Sequence, residues 1–148
     1  MTDFDVKEKR FEQDIEEYLC SVGGYTKGNP AAFDRTLALD KATLLSFIQS
    51  TQPKSWEKFV RIYGADSERQ LIDRFCRVVK QVGILHVLRN GFDDRGIKFR
   101  VVYWRPETSL NEASGAQYAA NVLHCTRQLH YSLNNENSID IVLLLNGI

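Results

Sequence analysis

Apolar residues recur along this chain with two different periods, and the change from one to the other falls just past its middle. Over residues 5–21, Phe11, Ile15, Tyr18 and Leu19, with Val22 just beyond, fall at helical spacing. That pattern predicts an amphipathic helix with these five as its buried face, stopped by Gly23-Gly24. Residues 25–33, holding Gly28 and Pro30, read as loop. A second helix is predicted over 41–50, capped by Asp40, with Leu44, Leu45, Phe47 and Ile48 inside and Pro53 ending it. Ser55 can cap a third helix carrying Trp56, Phe59, Val60 and Ile62. Ser67 can cap a fourth carrying Leu71, Ile72, Phe75, Val78 and Val79, with Gly83 beyond.

From there the period shortens. Residues 84–88 form a short β-rich run ending at Asn90-Gly91. Ile97, Phe99, Val101 and Tyr103 alternate with Lys98, Arg100 and Val102, so 96–104 reads as a strand that Pro106 closes. An Ala-rich helix is expected over 113–121 and strands over 122–132 and 139–145. The last run, Ile139-Asp140-Ile141-Val142-Leu143-Leu144-Leu145, is apolar enough to predict a strand covered on both faces. Asn146-Gly147 after it is a tight-hairpin signal, with only Ile148 left to begin a returning strand. An open edge there would invite self-association. Helices followed by three or four strands give an α/β or α+β chain, a helical first half packed on a mixed sheet. At 148 residues one domain is expected.

Composition changes this picture little. No apolar stretch approaches the roughly 20 residues a membrane span needs, and Met1-Thr2-Asp3-Phe4-Asp5 is unlike a secretory leader. Cys20, Cys76 and Cys125, odd in number and far apart, form no disulfide framework, which suits reduced thiols in the cytoplasm. A net charge of zero argues against a protein that coats nucleic acid, though not against an enzyme that gains DNA affinity from other domains.

Candidate chemistry centres on acids. Asp140 stands at the mouth of an apolar strand, where a carboxylate is costly unless solvated, paired or bound to a metal. It is either a solvated strand-start residue or a ligand for a hard cation such as magnesium. Glu12 and Glu16, four apart on the first helix, project from one side, either as a solvated face or with one of them a second acid near the metal; Glu17 is one step further round. His86, His124 and His130 lack the partners of a zinc site. Gly23 to Gly28 lacks the Gly-Lys-Ser/Thr ending of a phosphate loop and follows a helix, not a strand. Arg95, Lys98, Arg100, Arg105 and Arg127 give the β-rich half a modest basic bias that would suit a phosphodiester substrate; scattered surface charge is the plainer reading.

The order of landmarks resembles a known family. Phe11-Glu12-Gln13-Asp14-Ile15-Glu16 leads through Gly23-Gly24-Tyr25, Phe33-Asp34-Arg35, Thr51-Gln52-Pro53 and Gly83-Ile84-Leu85-His86-Val87-Leu88-Arg89. Thr126-Arg127-Gln128, His130-Tyr131-Ser132 and the run from Ser138 to Gly147 complete it. Over nearly its whole length the chain is similar to the N-terminal region of the restriction (R, or HsdR) subunit of type I restriction-modification enzymes. The resemblance implies a restriction-endonuclease-like α/β fold of the PD-(D/E)XK class and magnesium-dependent cleavage of unmodified double-stranded DNA. It implies a cytoplasmic complex with modification (M) and specificity (S) subunits, driven by ATP that other domains bind. It makes Asp140 the first metal ligand and Glu12, or else Glu16, the helical acid that completes the site. The family's Glu-X-Lys strand, expected after the Asn-Gly turn, is missing from the 148 residues. The sequence therefore reads as C-terminally truncated, and the chain alone is expected to cleave little or nothing. The alternative is a non-catalytic module that docks onto the methyltransferase and specificity subunits.

Overall fold

The computed structural model describes residues 2–148. Its elements in chain order are α1 (Asp3–Ser21), β1 (Thr26–Lys27), α2 (Lys41–Thr51), α3 (Pro53–Tyr63), α4 (Ser67–Val82) and α5 (Ile84–Asn90). β2 (Phe92–Asp94), β3 (Ile97–Phe99), α6 (Glu112–Ala119), β4 (Leu123–His130) and β5 (Ser138–Leu145) follow. The chain is α/β and divides into two compact units. One comprises residues 1–40 and 122–148, the other residues 41–121.

The first unit holds a three-stranded mixed sheet in the order β1-β4-β5. β1 runs parallel to β4, with Thr26 beside His124, and β4 runs antiparallel to β5, from Leu123 beside Leu145 to His130 beside Ser138. β1 can lie this close only because residue 28 is glycine: a Cβ there would sit 2.0 Å from Thr126 Oγ1. α1 starts from a capping box in which Thr2 Oγ1 accepts from the Asp5 amide at 3.3 Å and the Asp5 carboxylate accepts from the Thr2 amide at 2.9 Å. The sequence signal at the chain's end holds. Asn146 and Gly147 both take positive φ, 52° and 87°, as a two-residue hairpin turn requires. Leu145 and Ile148 exchange both backbone hydrogen bonds across it, at 2.9 and 3.0 Å. Asn146 is wholly buried; its amide nitrogen donates to Val122 O at 2.8 Å and its Oδ1 accepts from Val122 N at 2.6 Å.

Two expectations for this unit are corrected. Three of the five residues of the predicted apolar face of α1 look outward, Phe11, Tyr18 and Val22 at 67%, 64% and 70% exposed, while Ile15 and Leu19 are half-buried and the helix buries Glu12 and Glu16. Its rotation is set by the charged and amide side chains that β4 offers those two carboxylates, so polar pairing wins over the apolar stripe. β5 is not covered on both faces either. It is an edge strand, with Ile139 and Leu143 about half exposed.

The second unit packs α2, α3 and α4 around Leu44, Phe47, Ile48, Phe59, Leu71 and Phe75, all buried. β2 and β3 form a separate two-stranded hairpin. They turn at Arg95-Gly96, both at positive φ, and Phe59 meets Phe99 edge-on with ring centroids 5.5 Å apart. The strand predicted over 96–104 is therefore shorter and belongs to a different sheet. Its alternation is still real, since Ile97, Phe99 and Val101 are buried while Lys98 and Arg100 are exposed. The run predicted as a strand over 84–88 is the helix α5. Gly83, at φ 85°, ends α4 and lets a second short helix begin at once, and a short apolar run carries no period that separates strand from helix. α3 starts at Pro53, at the head of the helix where its missing N–H costs nothing, and not at Ser55.

Candidate metal centre

α1 turns one side of its acidic stripe toward the sheet. Glu8, Glu12 and Glu16 follow each other at four-residue steps, so they line up along one side of the helix. β5 presents Asp140 as its third residue. Carboxylate oxygens of Glu8, Glu12 and Asp140 all lie within 4.8 Å of one another, Glu12 buried and the other two exposed. They open into a cleft of about 590 Å³ that Lys9, Arg127 and Gln128 also line.

The buried acid is fixed from β4. Gln128 Nε2 donates to Glu12 Oε2 at 3.0 Å, and Arg127 Nη2 stands 3.6 Å from the same oxygen. Consecutive residues of a regular strand point to opposite faces, so Arg127 and Gln128 should not both reach one carboxylate. They do because Gln128 is twisted into the left-handed region, at φ 53°, without a residue being added to the strand: Arg127 stays paired with Ile141 and Leu129 with Ile139. Ser138 Oγ donates to Gln128 Oε1 at 3.1 Å, which fixes the amide with its nitrogen toward Glu12.

Glu16 has a different environment. Lys27 Nζ lies 3.3 Å from Glu16 Oε1 and Arg127 Nη1 3.9 Å from it, so its charge is met by cations and it stands outside the three-carboxylate group. Of the residues singled out from sequence, Asp140 and Glu12 thus come together and Glu16 sits one turn along. Glu8 was missed, although its four-residue step from Glu12 was visible. Gln128 was missed because its role depends on a backbone twist that no residue type announces.

The donor set fits a hard divalent cation. It is all carboxylate oxygen, drawn from two rigid elements, and three ligands leave coordination positions for water or a phosphate oxygen. It does not fit zinc, which favours nitrogen and sulfur. Cys125 is wholly buried, and that burial pushes its thiol up, away from the thiolate a metal needs. His130 Nδ1 is engaged with Glu136 O at 2.9 Å. Among the described residues Glu8, Glu12 and Asp140 form the one such cluster, and no helix is long and apolar enough to cross a membrane.

Fold and site together define an α/β unit with a mixed sheet and a carboxylate cleft between its first helix and its edge strand. Comparison of the chain with protein-family models, with curated proteins and with solved structures finds no match.

Proposed function

We propose that the first unit is the divalent-cation-binding core of a DNA endonuclease, the N-terminal domain of a type I restriction R subunit. The observation that carries this reading is the meeting of Glu12 and Asp140. They come from opposite ends of the chain, and their oxygens lie within 4.8 Å of each other and of Glu8. Asp140, Glu12 and Glu8 would hold the ion. Magnesium, when bound, polarises a phosphate and lowers the pKa of coordinated water. The protein's own part is positional. Gln128 holds one oxygen of Glu12, Arg127 offsets the charge of the buried acids, and Lys9 lines the same cleft where a phosphodiester would approach. The 148 residues contain no Glu-X-Lys pair, and the part this reading gives them is ion binding.

The test is an R subunit carrying this domain, assembled with its M and S subunits on unmodified plasmid DNA with ATP and magnesium. Asp140→Ala should abolish cleavage and leave ATP hydrolysis intact; cleavage that survives the substitution would refute the site. A second reading, a docking module for the M and S subunits, is favoured by the exposed stripe of Phe11, Tyr18 and Val22 on α1. It predicts that Phe11→Asp blocks assembly while Asp140→Ala leaves cleavage untouched.

A further inference from the structure

Two of the chain's cysteines fall on facing elements of the first unit, Cys20 in the last turn of α1 and Cys125 in β4. Cys76 belongs to α4 of the other unit. Cys20 continues the inward stripe of α1: Glu8, Glu12, Glu16 and Cys20 follow one another at four-residue steps, each advancing ~6 Å along the helix. Cys125 shares a face of β4 with Arg127, which is two residues on and so ~6.6 Å away along the strand.

The polar contacts fix how these two stripes lie against each other. Gln128 holds Glu12, and Arg127 reaches both Glu12 and Glu16. β4 therefore runs opposite to α1, and one step back along the strand from Arg127 matches one step forward along the helix. That step sets Cys125 between the levels of Glu16 and Cys20. β1 leads to the same alignment independently. Lys27 is the register partner of Cys125; its Nζ lies 3.3 Å from Glu16 Oε1, and it lines one cleft together with Cys20. The Cys125 thiol is pushed up by its burial and then by the Cys20 and Glu16 side chains, the two neighbours this alignment requires.

We propose that Cys20 and Cys125 are a redox pair that closes into a reversible disulfide, tying α1 to β4. The two thiols have unequal parts. Cys20 is partly exposed and opens onto the cleft beside Lys27, whereas Cys125 is wholly buried. A low-molecular-weight disulfide therefore meets Cys20 first. The Cys20 thiolate attacks one of its sulfurs, a mixed disulfide forms, and one small thiol leaves. Cys125 then gives up its proton and attacks Cys20 Sγ; the Cys20–Cys125 bond forms and the second small thiol leaves. The two protein protons end on the two released thiols, and the small disulfide is the species reduced. The bond holds α1 in the rotation that keeps Glu12 and Glu16 against β4. Neither the metal nor the nuclease reading enters this inference.

The experiment oxidises the 148-residue chain with glutathione disulfide, blocks the remaining thiols, and maps the peptides by mass spectrometry without reduction. Wild type should yield a Cys20–Cys125 cross-linked peptide from monomeric protein, released by dithiothreitol. In Cys76→Ser, which leaves two cysteines, free thiols should fall from two to none with no glutathione mass retained. Cys125→Ala should stop at the mixed disulfide on Cys20. Cys20→Ser, a change at a partly exposed position, should leave Cys125 a free thiol. A wild-type chain that keeps glutathione on Cys20 with Cys125 free, a bond from Cys76 to either cysteine, or cross-links only between two chains would each overturn the proposal. None of these results touches the carboxylate site.

Discussion

Replacing Arg127 by methionine isolates the electrostatic design of the site, because methionine keeps most of the apolar stem and removes the charge. Glu12 and Glu16 are 8% and 10% exposed at their side chains, and the guanidinium lies 3.6 and 3.9 Å from them. At an effective dielectric of about 20, each contact is worth roughly 4 kcal/mol of Coulomb energy before desolvation is counted. Removing one member of a buried pair costs about 3–5 kcal/mol where the acid is left alone. Neither acid is left alone here, since Glu16 keeps Lys27 and Glu12 keeps Gln128. Arg127 Nε is also buried without a hydrogen-bond partner, a cost of about 1–3 kcal/mol that methionine removes. The two corrections bring the expected loss to about 2 kcal/mol, or a fall in Tm of roughly 4–8 °C for a chain of this size. Manganese should then stabilise the variant more than the wild type, because a cation at Glu12 does what the guanidinium did. The assay is thermal denaturation at pH 7 with and without manganese. A Tm within a degree of wild type, or equal stabilisation of both proteins by manganese, would refute the reasoning.

Gln128→Gly removes the amide while easing a backbone that glycine adopts freely. It should weaken manganese binding about tenfold, the usual scale for a residue that orients a ligand, and leave Tm within a few degrees; a Tm collapse with unchanged affinity would count against it. The Arg35 guanidinium hydrogen-bonded to Glu136, at 3.3 Å, holds that carboxyl below its ordinary range. Because its folded pKa is depressed, whatever the pair contributes to stability is present above the ordinary glutamate range and lost as pH falls through the depressed value. NMR titration should show Glu136 titrating low, and Arg35→Ala should return it to normal. Burial pushes the Cys125 thiol up while Cys20 and Cys76 are partly exposed. A thiol-specific reagent at pH 8 should therefore modify two cysteines in the native protein and the third only on unfolding; rapid reaction of all three would contradict the buried placement.

Much of the chain was legible from its period and its punctuation. The bounds of α1, α2 and α4, the pairing of β4 with β5 through a short turn, and the Asn146-Gly147 hairpin all follow from local rules that tertiary structure did not override. The rotation of α1 did not follow. Its sequence carries two stripes, Phe11-Tyr18-Val22 and Glu8-Glu12-Glu16, and which faces inward is decided by Arg127 and Gln128 on β4, more than a hundred residues later in sequence. α5 was misread because seven residues between glycines are too few to show a period. Helical spacing offered Glu12 or Glu16 as a second acid near Asp140, and the family resemblance put Glu12 first. The third carboxylate, Glu8, could have been read from spacing alone.

The most direct test of the carboxylate cleft is isothermal titration of the 148-residue chain with manganese, beside Asp140→Asn and Glu12→Gln. The site predicts one divalent ion bound per wild-type chain and binding lost or weakened at least tenfold in both variants, with Glu16→Gln close to wild type. No binding by the wild type, or binding that Asp140→Asn leaves unchanged, would contradict it.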